Sequence, residues 1–115
     1  MLNQLIITGK LTKDIELKTA ENGKKYANLS IAVHRPYKNE ATNEYETDFI
    51  NITIFEKVAE NTAEYCKKGD IVGVKGSLRS NSFEREDGTK EYRLEAVGER
   101  VTFLTTKSKD TPERE

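Results

Sequence analysis

The chain has no tryptophan, one cysteine (Cys66), one histidine (His34) and two prolines. A lone cysteine excludes an internal disulfide, and with a single histidine it cannot supply the usual zinc ligand set, so neither metal nor other cofactor is expected, and a reducing compartment fits. Charge of one sign is also lacking: 19 Lys and Arg against 20 Asp and Glu leave a formal −1. That excludes a grip on polyanions through bulk charge; any nucleic-acid contact must come from local placement. Nor is there a long apolar run. The start, MLNQLIITGK, is apolar for a few residues only, and nothing approaches a membrane span, so a cytoplasmic protein without membrane contact is expected.

What is there is enough for one domain. The 115 residues are 35% hydrophobic and 34% charged, polar for a globular chain but neither aromatic-poor nor one-signed, which predicts a folded unit with a modest core. Leu2, Leu5, Ile6 and Ile7 mark a first strand ending at Gly9, and Asn22-Gly23 marks a turn. From residue 24 to 35 Leu29, Ile31 and Val33 alternate with Asn28, Ser30 and Ala32, a long strand with one wet face. The polar stretch 36–47, with Pro36, reads as an exposed loop or flexible hairpin.

DFINITIF (48–55) is the third strand, and EKVAENTAEYCKKG (56–69) the one helix, with Val58, Thr62, Tyr65 and Cys66 at three- and four-residue steps, Lys67 and Lys68 at its end and Gly69 as its stop. Residues 70–83 alternate again, with Val72, Val74 and Leu78 expected inward. Asp87-Gly88 turns the chain into a last strand, 90–104. Residues 105–115 have no apolar period and read as a short disordered tail. Without crossover helices for a parallel sheet, the order predicts an all-β fold over residues 1–104: a five-stranded OB-fold barrel with one α-helix between strands 3 and 4.

Parity singles out the chemistry. In DFINITIF the isoleucines share one face, which leaves Phe49 and Phe55 on the polar face with Asn51 and Thr53, on the order of 20 Å apart at ~3.3 Å per residue. In strand 70–83 the outward set is Lys75, Ser77, Arg79, Asn81 and Phe83. Tyr37 lies between Arg35 and Lys38 at the mouth of the polar stretch. Exposed rings with interleaved cations suit single-stranded nucleic acid, whose bases stack and whose phosphates need nearby positive charge. Each ring alone is nearly as well explained as a lid on the barrel rim or a subunit contact. His34 and Cys66 belong to no catalytic pattern, and no pair of carboxylates is distinguished as an acid/base couple.

These blocks resemble, in order and over nearly all of residues 1–104, the bacterial single-stranded DNA-binding proteins: LNQLIITGKLTKDIEL, LSIAVHRPYKN, DFINITIFEKVAENTAEYCKKGD, VGVKGSLRSNSFEREDG and EYRLEAVGERVTFL. The resemblance implies an OB fold, a homotetramer, no enzymatic activity, and sequence-tolerant binding of single-stranded DNA in replication, recombination and repair. It implies stacking by Tyr37, Phe49, Phe55 and Phe83 and phosphate contacts from Lys10, Lys18, Lys57, Lys68 and Arg79; Arg35, Lys38 and Lys75 come from the face and loop argument. Many members finish in an acidic tip ending in an aromatic. Here the last residues are Asp-Thr-Pro-Glu-Arg-Glu, which argues against tail-mediated recruitment of repair enzymes and for an accessory or mobile-element form that coats DNA. The alternative is a primosome-type OB accessory protein acting mainly through protein contacts.

Overall fold

A computed structural model describes residues 1–105, so all but the first residue of the expected tail lies outside the described residues. Two-residue alternation builds the core. Strand β3 (Lys25–Asn39) buries Ala27, Leu29 and Ile31, β4 (Glu44–Phe55) buries Ile52 and Ile54, and β5 (Ile71–Glu84) buries Val72 and Val74. One apolar face per strand is shielded most fully when the sheet closes on itself. The order is β1 (Leu5–Leu11), β5, β6 (Lys90–Thr105), β4, β3, and β3 returns to β1 through Lys10 opposite Ala32 and Leu11 opposite Ile31. Among the described residues only β4 and β6 run parallel, over Ile52 to Ile54 against Ala96 to Gly98. This is the expected five-stranded OB-type barrel. A two-residue strand, β2 (Lys18–Thr19), adds to β3 and is too short to show any period.

Two seams of the barrel depend on bare backbone. A Cβ on Gly76 would stand 1.9 Å from the Val97 carbonyl oxygen, and one on Gly9 would stand 2.4 Å from that of Ala32. Both distances are far inside van der Waals contact with backbone, so strands β5/β6 and β1/β3 can close there only without side chains.

The helix α1 (Glu56–Tyr65) lies between β4 and β5 and buries Ala59 and Thr62 against the barrel core, with Val58 partly buried beside it. It starts abruptly: Glu56 has φ +53°, a left-handed conformation that is costly for a residue with a side chain, and it swings the chain out of β4 directly after Phe55. It also ends earlier than the sequence predicts. Cys66 is already extended, and Lys67 and Lys68 follow the helix instead of complementing its last turn. The cause is Asp70, fully buried, whose carboxylate accepts from the Lys67 N–H at 2.8 Å while its own N–H donates to the Lys67 carbonyl at 3.0 Å. That tight turn, with Gly69 at φ +95°, competes with another helical turn and wins.

The polar stretch 36–47 resolves as the hairpin alternative. β3 continues to Asn39 and β4 begins at Glu44, joined by a four-residue tip in which Asn43 takes φ +59° and the Asn39 side chain accepts from the Ala41 N–H at 2.8 Å. Most of the hairpin is exposed on both faces, so no apolar period announces it. Leu78 corrects a second expectation: it shares the parity of Val72 and Val74 but is 44% exposed, because β5 and β6 run on as a hairpin beyond the barrel core. That hairpin turns at Asp87-Gly88 as expected, Gly88 at φ +89° and the Asp87 carboxylate accepting from both the N–H and the hydroxyl of Thr89.

Candidate nucleic-acid interface

The outward face of β4 carries Tyr45, Thr47, Phe49, Asn51, Thr53 and Phe55 in alternation, and the paired residues of β3 are Lys38, His34, Ala32, Ser30, Asn28 and Tyr26. Two rows cross three strands on this face. Lys10 of β1 pairs with Ala32, which pairs with Phe49. Lys18 of β2 pairs with Tyr26, which pairs with Phe55. Each ring therefore shares a row with a lysine two strands away, about 10 Å at ~4.8 Å per strand. That is the combination of flat apolar surface and cation that a stacked base and its phosphate require.

The rings differ in freedom. Phe49, opposite the small Ala32, is 70% exposed, whereas Phe55 is half-buried opposite Tyr26. Phe83 projects from the β5–β6 hairpin with the Arg93 guanidinium 4.9 Å from its ring centroid, so one neighbour already offers it a cation–π contact. Tyr37 is exposed in a register break of β3: His34 pairs with Thr47 but Lys38 with Tyr45, leaving Arg35, Pro36 and Tyr37 opposite Glu46 alone. Pro36 cannot donate to the ladder, which accounts for the bulge at this point.

The cations also divide. Lys10, Lys18, Lys57, Lys68 and Arg79 are exposed, and among the described residues none of them forms an ion pair. Lys57 lies two residues beyond Phe55 at the start of α1, and Lys68 follows the helix; Arg79 stands opposite Glu95 on the β5–β6 hairpin. Lys38 sits over Tyr45, 5.6 Å from the centroid. Arg35 is engaged elsewhere: it pairs with Glu46 at 3.1 Å and donates to both Asp48 oxygens at 3.0 and 3.1 Å, and the guanidinium's hydrogen bond and charge hold the Asp48 carboxyl below the usual carboxylate range. Lys75 lies in a row with Ile6 and Arg100, away from the ring rows.

Sequence parity left Tyr26, Tyr45, Glu95 and Asn28 unremarked as site residues. Tyr26 was legible, since it continues the even-numbered wet face of residues 28 to 32. Glu95 was not, because a strand's cross-strand neighbour is set by the barrel register. His34 accepts or donates through Nδ1 to the Thr47 hydroxyl at 2.8 Å on the ring face. Cys66 is buried, and desolvation first, with the charge of Asp70 second, pushes its thiol up to about 11, the behaviour of a packing residue and not of a nucleophile. Among the described residues no cluster of His, Cys, Asp or Glu could hold a metal ion, and no helix is long and apolar enough to cross a membrane.

Residues 2–104 match the sequence model of the Single-strand binding protein family. Single-stranded DNA-binding protein B of Bacillus subtilis (strain 168) is 41% identical over 110 residues, covering 96% of both chains. A single-stranded DNA-binding protein of Oceanobacillus iheyensis is 46% identical over 107 residues, 93% of this chain and 66% of that one; single-stranded DNA-binding protein 1 of Staphylococcus aureus (strain MSSA476) is 42% identical over 110 residues, 96% and 70%.

Proposed function

The chain belongs to the single-strand binding protein family, and from that premise we propose that it coats single-stranded DNA without regard to sequence, as a non-enzymatic protein of replication, recombination and repair. The observation that carries this reading is the pair of rows, Lys10, Ala32, Phe49 and Lys18, Tyr26, Phe55, on one continuous outer face. Bases stack on Phe49 and Phe55, with Phe83 extending the track along the β5–β6 hairpin and Tyr37 adding an exposed ring at the β3 bulge, while Lys10, Lys18, Lys57 and Arg79 neutralise phosphates. Stacking supplies roughly 1–3 kcal/mol per base by alanine substitution, so a few rings give useful affinity at a net charge of −1.

Assembly into a homotetramer belongs to the same proposal. Its support is a β1 edge that no strand among the described residues covers over Leu5 to Thr8, and the 71% exposed Ile6 beside it, surface that a second copy would cover. The expected place of action is the cytoplasm, on the nucleoid. A fluorescein-labelled mixed-sequence oligonucleotide, titrated as single strand and as duplex at several salt concentrations, tests the binding reading, since the chain has no tryptophan to report it. The expected result is salt-dependent binding that strongly favours the single strand. Equal affinity for duplex would refute stacking. Sedimentation of the free protein tests the tetramer.

A further inference from the structure

We propose that Glu95 is a base-discriminating residue of this interface, favouring cytosine over thymine at the position it faces. The inference rests on the binding reading above and adds a preference to it. Glu95 lies on β6 between the two ring-bearing strands: one carboxylate oxygen accepts from the Asn81 amide of β5 at 2.9 Å and the other is 3.3 Å from the Thr53 hydroxyl of β4. Thr53 is two residues from Phe55, and Asn81 two residues from Phe83, so each ring stands on the order of 7 Å along its strand from the residue that anchors the carboxylate. A base lying on either ring directs an edge into this strip.

The strip has acceptor capacity to spare. The Thr53 hydroxyl carries one proton and faces two acceptors, Glu95 at 3.3 Å and the Asn28 side-chain oxygen at 3.0 Å, so the two bonds cannot both be made. Each carboxylate oxygen also has a second lone pair, and Glu95 is only partly buried. Cytosine offers its N4 amino hydrogens to such a group. Thymine places the O4 carbonyl there, and carbonyl against carboxylate is repulsive. Stacking itself does not separate the two pyrimidines strongly, so the discrimination falls to the acceptor.

The test compares labelled dC and dT oligonucleotides of equal length, at one salt concentration and pH 7.5, binding to the wild type, Glu95→Gln and Glu99→Gln. Glu99→Gln removes the same charge four residues along β6, at the residue the β5–β6 register skips, where Glu99 meets Ser77, and serves as the control. The ratio of dC to dT affinity is the readout, because loss of a negative charge alone raises both affinities together. Glu95→Gln is expected to lower that ratio about threefold or more, a fraction of what one good bidentate base contact discriminates. An unchanged ratio, or an equal fall in Glu99→Gln, overturns the inference while leaving single-strand binding intact. Failure of the wild type to bind either oligonucleotide overturns the binding reading itself.

Discussion

Phe49→Ala separates binding from folding more cleanly than any other substitution on the ring face. At 70% exposure under a third of the side chain is covered, on the order of 60 Å² of the 150–250 Å² an aromatic side chain can bury. At ~25 cal/mol/Å² the truncation costs about 1.5 kcal/mol of stability at most. Its effect on binding is the loss of one stacking platform, about 1–3 kcal/mol, or roughly 5- to 150-fold in affinity. Ile52→Ala is the inverse: wholly buried in the barrel, it should cost about 2–5 kcal/mol of stability while leaving the ring face untouched. Phe55→Ala falls between, since its half-buried ring rests beside Tyr26 and contributes to both. The assay pairs thermal unfolding by circular dichroism with anisotropy of a short labelled oligonucleotide at a temperature where every variant is folded. A Phe49→Ala protein that melts as early as Ile52→Ala, or that binds as the wild type does, would show the ring to be packing and refute the stacking argument.

Gly76→Ala should prevent stable folding, because its Cβ would meet backbone at 1.9 Å where β5 crosses β6 and no side chain can move aside; soluble yield and far-UV circular dichroism report it. Lys10→Ala and Lys18→Ala should each lower the slope of log affinity against log salt by about 0.7, the value for one single-strand phosphate contact, whereas Arg35→Ala should change it less because Asp48 and Glu46 already neutralise that guanidinium. For Cys66 the folded value is raised to about 11 from an ordinary value near 9, so the unfolded thiol ionises first and its contribution to stability, full below pH 9, is lost as pH rises through 11. Cys66→Ala should flatten that alkaline decline in the denaturation midpoint, and the native thiol should resist a disulfide reagent at pH 8 until the chain unfolds.

Strands β1, β3, β4 and β5 were legible wherever one face is wet and the other dry, since Leu29 and Ile31, or Ile52 and Ile54, then impose a visible period of two. The helix was legible as an element but not at its end, because its stop is set by the buried Asp70 carboxylate on the Lys67 N–H, not by the glycine that follows. The 36–47 stretch was ambiguous for a physical reason: most of its residues are wet on both faces of the hairpin, so periodicity carries no information there. The rings of β4 were legible from parity, yet the rows that join them to Lys10 and Lys18 depend on strand register, which no local pattern records.

The register break around Pro36 shows how that face survives an irregularity. Side chains alternate along a strand, so a bulge of one extra residue would carry everything beyond it to the other face. Here β3 spends three residues, Arg35 to Tyr37, against the single Glu46 of β4, an excess of two. Alternation is therefore restored on both strands: Lys38 and Tyr45 rejoin the face of Ala32 and Phe49. The odd residue of β4 is acidic and meets Arg35 of the bulge, so the acids Glu46 and Asp48 are tied to a cation off the ring-bearing parity. A chain of nearly balanced charge can present a ring-and-cation surface because its carboxylates at this point alternate onto the other side of the same ribbon.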